Sequence, residues 1–187
     1  MSTAQEIKIV FAGPMGAGKT TAIRALSDHP PVSTEVTNTD RKHGGKDTTT
    51  VALDFGQLAL KDGTAVRLYG TPGQERFSFM WEILCKGSLG VILLVDGRSA
   101  TALTDLETYM DMLRRLGPGQ PFVLGVGRLP ADAEHELDRL ASALAARDLA
   151  APVFGVDVRN REDVLLLVEA LLCILEMRTP GSIDGLH

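Results

Sequence analysis

The chain has 187 residues, 44% of them hydrophobic and 23% charged, which suits one globular domain around one hydrophobic core rather than a disordered segment. Its formal net charge is −5 at pH 7. An acidic chain lacks the basic surface of nucleic-acid-binding proteins, so we expect no nucleic-acid partner.

The predicted elements alternate between strands and helices along the chain. Short apolar or β-branched runs bounded by turn residues predict strands at residues 7–12, 49–60, 64–69, 89–95, 121–126 and 152–156. Helical spacing predicts helices at residues 19–27, 102–116, 133–147 and 161–177, the last with an apolar stripe of Leu165, Val168, Leu172 and Leu175. The polar segment 33–46 is expected to be a mobile loop, and residues 61–63 a hairpin turn.

This alternation predicts an α/β fold with a mostly parallel sheet, in which the one tight hairpin makes one strand antiparallel. We expect a single domain over residues 1–177, followed by a flexible C-terminal tail over residues 178–187.

The cysteines and the chain ends indicate in which cellular compartment the protein is expected. Cys85 and Cys173 each lie in an apolar stretch, and no Cys/His pair has metal-ligand spacing, so we interpret both as reduced core thiols. The first residues lack the apolar centre of a signal peptide, no apolar run is long enough to cross a bilayer, and the tail lacks a prenylation box. We therefore expect a cytoplasmic protein without a direct membrane anchor.

A glycine-rich segment lies between the first predicted strand and the first predicted helix. It reads Gly13-Pro14-Met15-Gly16-Ala17-Gly18-Lys19-Thr20 and fits the pattern G-x-x-x-x-G-K-[ST]. Glycines allow successive backbone N–H groups to turn toward phosphate oxygens, and the following helix points its positive end at the same anion. Lys19 is suited to the outer phosphates and the Thr20 hydroxyl to Mg²⁺. These residues and the adjacent Thr21 are the predicted phosphate site.

Two later segments resemble the switch regions of Ras-like small GTPases. They read Thr49-Thr50-Val51-Ala52-Leu53-Asp54-Phe55-Gly56 and Gly70-Thr71-Pro72-Gly73-Gln74-Glu75-Arg76-Phe77-Ser78-Phe79-Met80-Trp81. The closer resemblance, over about residues 7–175, is to the bacterial MglA-type and conservon GTPases. It implies a P-loop NTPase with a Ras-like three-layer sandwich and a six-stranded sheet. It also implies GTP/GDP and Mg²⁺ as ligands, and a roadblock/LC7-type regulatory protein as partner.

The resemblance also assigns roles to individual residues. Gln74 resembles the glutamine that orients the attacking water, and Gly73 the glycine whose N–H senses the γ-phosphate. Thr50 resembles the threonine that closes on Mg²⁺ and the γ-phosphate, with Thr49 as the alternative. Arg41, in the predicted loop, is a candidate arginine acting in cis beside the catalytic candidates Gln74 and Lys19.

The chain departs from the Ras pattern at the metal site. Gly70 stands where Ras proteins have an aspartate that supports Mg²⁺ through its water shell. The MglA-type branch also lacks this aspartate. Asp54 on the paired strand is the best candidate to supply the negative charge, which makes Thr20, Thr50 and Asp54 the predicted metal residues.

A second departure concerns the base. Gly127-Arg128-Leu129-Pro130 replaces the N-K-x-D motif whose aspartate selects guanine, although Asp132 is an alternative source of a carboxylate. Arg128 is expected to lie on the base, with Asp157 and Val158 in the last base loop. Base selectivity is therefore expected to be weaker than in Ras proteins. Three functions stay open: a GTP-hydrolysing switch, a scaffold without enzymatic activity, and another P-loop NTPase or kinase that uses ATP.

Overall fold

A computed structural model of the protein describes residues 6–30, 32–38, 49–60, 64–116, 119–129 and 132–178. The strands are β1 (Glu6–Ala12), β2 (Val32–Asn38), β3 (Thr49–Ala59), β4 (Ala65–Gly70), β5 (Gly90–Asp96), β6 (Phe122–Gly127) and β7 (Val153–Gly155). The α-helices are α1 (Lys19–Leu26), α2 (Ser78–Cys85), α3 (Ala102–Arg115), α4 (Ala133–Ala145) and α5 (Arg161–Arg178), and a 3-10 turn (Glu75–Phe77) leads into α2.

The strands form one sheet in the order β2-β3-β4-β1-β5-β6-β7. β3 pairs antiparallel with β2 and β4, and the other described pairs are parallel. The predicted α/β fold of the P-loop NTPase type is confirmed. The described part of the sheet has seven strands rather than six, because β2 occupies the first part of the stretch predicted to be a loop. The rest of that stretch, residues 39–46, lies outside the described residues, as does the predicted turn at residues 61–63.

Alternate residues of the central strands face two hydrophobic clusters. Ile9 and Phe11 pack on the face covered by α1 and α5, whereas Val10 packs with Leu106 on the face covered by α2, α3 and α4. All four side chains are completely buried. The period-two alternation of side chains in β1 therefore divides the core into two layers around the sheet and gives the three-layer sandwich.

The prediction of which face of α5 is buried is wrong. The buried residues are Val164, Leu167, Val168 and Leu171, whereas Leu165, Leu172 and Leu175 are only partly buried. The helix carries more apolar residues than one face can bury, so its periodicity does not select that face.

The interpretation of both cysteines as core thiols is right for Cys85 and wrong for Cys173. Both thiols are free, but Cys85 is buried in α2 and Cys173 is exposed on α5. The helix turns Cys173 away from the sheet, so an apolar sequence neighbourhood does not place it in the core.

None of the described helices is both long enough and apolar enough to cross a membrane. Residues 179–187, in the predicted tail, lie outside the described residues.

Candidate functional site: a phosphate loop and an adjoining base cleft

The phosphate loop requires glycine at two positions for steric reasons. Gly13 has a φ of 142°, and a Cβ atom there would collide with the carbonyl oxygen of Leu94 in β5. Gly18 has a φ of 101°, and a Cβ atom there would lie 2.8 Å from Cγ2 of Val158. Both backbone conformations are strained for residues that carry a Cβ. These glycines let the loop turn tightly between β1 and α1 while it contacts β5 and the loop after β7.

Lys19 lies folded back on the phosphate loop. Its side-chain ammonium Nζ donates hydrogen bonds to the carbonyl oxygens of Gly13 at 2.7 Å and Pro14 at 2.8 Å, and the residue is only 7% exposed. Burial lowers the pKa of Lys19 from 10.5 to about 8, and the charge of Asp54 partly opposes this shift. A buried ammonium bound only to neutral carbonyls is well placed to exchange them for phosphate oxygens.

The lowered pKa predicts a pH-dependent affinity for phosphate. The nucleotide-free protein loses the proton of Lys19 at about pH 8, whereas a bound anion favours the protonated lysine. We therefore expect affinity for inorganic triphosphate to fall as pH rises above 8, by up to about tenfold per pH unit. Calorimetry between pH 7 and pH 9, in buffers of different ionisation enthalpy, should show proton uptake on binding. Lys19→Arg should remove this dependence, since arginine stays charged; the same slope in that variant would contradict the assignment.

Thr20 and Asp54 meet beside the phosphate loop. The Thr20 hydroxyl donates a 2.5 Å hydrogen bond to Oδ2 of Asp54. Asp54 lies opposite Gly70 in the β3–β4 register, and a Cβ atom at Gly70 would lie 3.1 Å from both Cβ of Asp54 and Cδ1 of Ile23. The Asp54 side chain thus lies close to the space that a Gly70 side chain would need. The structure brings together two of the three predicted metal residues; the third, Thr50, lies in β3 opposite Thr37 of β2.

The segment after β4 packs directly on the phosphate loop. A Cβ atom at Gly73 would lie 2.5 Å from the backbone nitrogen of Met15. The indole N–H of Trp81 donates a 2.7 Å hydrogen bond to the carbonyl oxygen of Pro72, and the Trp81 ring stacks on Tyr109 with ring centroids 4.5 Å apart. Trp81 therefore fixes the residue that precedes Gly73. Gln74 is exposed at the surface beside it.

A cleft of about 640 Å³ adjoins the phosphate loop at the carboxyl ends of the parallel strands β5, β6 and β7. This end of an α/β sheet is where ligands bind. The cleft is lined by, among others, Thr21, Asp96, Arg128, Asp157, Val158 and Arg159. Four of these were predicted from the sequence. Asp96 and Arg159 were missed, although the position of Asp96 at the end of a buried strand was a usable signal.

Two ion pairs dominate the electrostatics of the cleft. Arg128, which has a φ of 48°, donates from a guanidinium nitrogen to Oδ2 of Asp96. Arg159 donates to both oxygens of Asp157, from Nε at 2.9 Å and from a terminal nitrogen at 2.7 Å. These hydrogen bonds lower the pKa of Asp157 to about 2, so it is ionised at neutral pH. The cleft therefore contains two ion pairs, and Arg128 is engaged with Asp96.

Two residues named in the sequence analysis cannot be placed in the site. Arg41, the candidate cis arginine, and Pro130, which replaces the guanine-selecting aspartate, lie outside the described residues. Asp132 is described and directly precedes α4, but it is not among the residues that line the cleft. The described carboxylates of the cleft are thus Asp96 and Asp157.

Comparison with known proteins places this site in context. A family described as "Conserved hypothetical ATP binding protein" matches residues 31–171, a range that begins after the phosphate loop. An uncharacterized protein of Methanocaldococcus jannaschii is 32% identical over 102 residues, which are 54% of this chain and 58% of that protein. The Ras-related protein Rab-27B of Bos taurus is 25% identical over 199 residues, covering 97% of this chain and 84% of that protein.

A third relative is the Ras-related protein Rab-40A-like of Homo sapiens, which is 27% identical over 153 residues, covering 80% of this chain and 51% of that protein. The chain thus matches little more than half the length of two of these three relatives. Their distant similarity supports a nucleotide-binding protein of the P-loop GTPase-like type. By the range of its match, the chain belongs to the family described as a conserved hypothetical ATP binding protein.

Proposed function

We propose that this protein is a small GTP-binding switch that hydrolyses GTP to GDP, belongs to the MglA-type branch and works with a roadblock/LC7-type regulatory protein. The observation that supports it best is the convergence of Lys19, the Thr20–Asp54 pair and Gly73 at one phosphate loop. A phosphate site with a hydroxyl and a carboxylate beside it suits a nucleoside triphosphate and a divalent cation.

The phosphate loop would bind the nucleotide through its backbone and Lys19. The N–H groups of the loop and of the first turn of α1 point positive dipoles at the phosphates. The Lys19 ammonium exchanges the carbonyl oxygens of Gly13 and Pro14 for phosphate oxygens. A bound Mg²⁺ would neutralise phosphate charge, with Thr20 and Thr50 as ligands and Asp54 supporting it through its water shell.

The segment around Gly73 would respond to the third phosphate. Its backbone contacts Met15 of the phosphate loop, so a γ-phosphate in this region would change the contact. Gln74, the next residue, is proposed to orient the attacking water, and Arg41 to offset the charge that develops during hydrolysis. A segment held in one position by the γ-phosphate and released after hydrolysis is a two-state switch.

We expect Gln74→Leu to lower partner-stimulated hydrolysis by at least about tenfold, because leucine cannot orient a water molecule. The measurement is single-turnover GTP hydrolysis with the roadblock-type partner at saturation. Gln120→Leu is the control, since Gln120 precedes β6 at the opposite end of the parallel strands from the phosphate loop. An unchanged rate in the Gln74 variant would show that another group orients the water.

A second candidate is a nucleotide-binding protein that takes ATP, which the name of the matching family favours. One experiment separates the candidates. Purified protein is denatured and the released nucleotide identified by chromatography, and fresh protein is then titrated with GDP, GTP, ADP and ATP. Preference for guanine nucleotides supports the proposal, and preference for adenine nucleotides supports the second candidate. Failure to bind any of the four overturns both and leaves the scaffold function.

A further inference from the structure

Guanine and adenine differ in the hydrogen-bonding groups on one edge of the ring. Guanine presents two parallel donors, its N1–H and the exocyclic amine at C2, whereas adenine presents a bare N1 acceptor at the corresponding place. An ionised carboxylate accepts both guanine donors and repels the adenine acceptor. A guanine-selecting cleft therefore needs a carboxylate whose two oxygens face two parallel N–H groups.

Asp157 already accepts such a pair of donors from the protein itself. Arg159 donates from Nε to Oδ1 at 2.9 Å and from a terminal nitrogen to Oδ2 at 2.7 Å. A guanidinium fork and the guanine edge both offer two parallel N–H groups to the two oxygens of a carboxylate. Arg159 thus occupies the hydrogen-bonding positions on Asp157 that a guanine base would use.

The backbone around Asp157 is held in place independently of Arg159's guanidinium. The Asp157 N–H donates to Oδ2 of Asp163 at 2.8 Å, and the Arg159 N–H donates to Oδ1 of Asp157 at 3.0 Å. Asp163 also accepts from the side-chain amide of Asn160 at 2.9 Å, at the start of α5. These bonds fix the loop between β7 and α5, so Asp157 remains on the cleft wall when the Arg159 side chain moves.

The other carboxylate of the cleft is less suited to this role. The Asp96 side chain is 24% exposed and is already bound by Arg128 and by the backbone N–H of Arg98. The Asp157 side chain is 46% exposed and its partner Arg159 is 80% exposed. An ion pair as exposed as that of Arg159 contributes little stability, so a base displaces it at small cost.

We propose that the Asp157 carboxylate selects guanine in this cleft and that the base displaces the Arg159 guanidinium from it. The proposal rests on the proposed function in taking a purine nucleotide as the ligand. It places the guanine-selecting carboxylate in the loop after β7, whereas Pro130, which follows β6 in the sequence, offers none. It also revises the expectation of weak base selectivity.

The test is a change of base preference in Asp157→Asn. An amide accepts from N1–H but donates from its nitrogen, so it loses the guanine amine and gains the carbonyl oxygen that xanthine carries at C2. We expect GTP affinity to fall by about 10- to 100-fold and xanthosine triphosphate affinity to rise by at least about tenfold. ATP affinity should rise as well, because the amide no longer repels adenine N1 and can donate to it. Calorimetry with the three nucleotides on the full chain measures all three changes.

Two further variants make the result specific. Asp111→Asn is the matched control, because Asp111 is an aspartate of α3 in an ion pair with Arg147, outside the cleft, and should leave all three affinities unchanged. Arg159→Ala should keep GTP affinity or raise it, since it removes the competing guanidinium. A loss of GTP affinity in Arg159→Ala would show that the arginine itself binds the base and would overturn the proposal.

Failure of this proposal is distinguishable from failure of the proposed function. If Asp157→Asn binds GTP, ATP and xanthosine triphosphate in the same ratios as the wild type, another group reads the base, while nucleotide binding stands. If the wild type prefers ATP, guanine selection by Asp157 is wrong. If the wild type binds none of the three, the proposed function fails and this proposal fails with it.

Discussion

Lys19→Met is expected to abolish triphosphate binding and, at the same time, to stabilise the nucleotide-free protein. The variant removes the cation that would meet the outer phosphates. It also removes a buried charge whose pKa is lowered from 10.5 to about 8, mainly by loss of solvation. A shift of this size corresponds to roughly 3 kcal/mol at neutral pH, from which the two hydrogen bonds to loop carbonyls must be subtracted. A gain of about 1–2 kcal/mol in the free energy of unfolding is therefore expected.

The pH dependence of stability shows whether the gain comes from removal of the buried charge or from a change in side-chain packing. Between pH 8 and 10.5 the folded wild type has lost the Lys19 proton while the unfolded chain keeps it, so wild-type stability rises with pH. The methionine variant has no such proton, and its advantage should shrink over the same range. Urea denaturation at pH 7, 8.5 and 10 measures this, with the exposed Lys86→Met as control. A Lys19 variant that is less stable at pH 7, or that binds triphosphate like the wild type, would contradict the assignment.

Moving a carboxylate from β3 to β4 is expected first to raise the Mg²⁺ concentration that nucleotide binding needs and then to bring it back. Asp54→Ala deletes the carboxylate that accepts from the Thr20 hydroxyl. Loss of a group that supports a metal through its water shell typically weakens metal binding about 10- to 100-fold. Adding Gly70→Asp in the Asp54→Ala background places a carboxylate on the opposing residue of β4 and should recover most of the loss.

Gly70→Asp alone, with Asp54 still present, should not strengthen Mg²⁺ binding. A Cβ atom at Gly70 would lie 3.3 Å from Oδ2 of Asp54, so the carboxylates of Asp54 and of an aspartate at residue 70 would lie close together and repel each other. Titration of nucleotide binding with Mg²⁺ in the three variants measures these effects, and Asp138→Ala on the exposed surface of α4 is the control. If Asp54→Ala needs no more Mg²⁺ than the wild type, Asp54 has no role in metal binding.

The sequence was most informative where chemistry is encoded locally. The phosphate loop could be located because glycines, a lysine and a threonine occur at fixed spacing between a strand and a helix. Asp54 could be named because a strand and its hairpin partner are close in sequence, and the structure pairs it with Gly70 and bonds it to Thr20. α2 was not predicted, because a short apolar segment of eight residues has no distinct period.

The sequence by itself determined the order of the strands and helices other than β2 and α2, the class of fold and the position of the phosphate loop, because periodicity and turn chemistry depend on neighbouring residues. Only the tertiary structure decided that β2 joins the sheet, which face of α5 is buried and that Cys173 is exposed. It also decided the charge pairing in the cleft, where Arg128 meets Asp96 across 32 positions of the chain. Strand pairing, the buried face of a helix and the partners in an ion pair depend on contacts between segments that are distant in the sequence. A local sequence pattern is compatible with several such contacts, and the folded sheet selects among them.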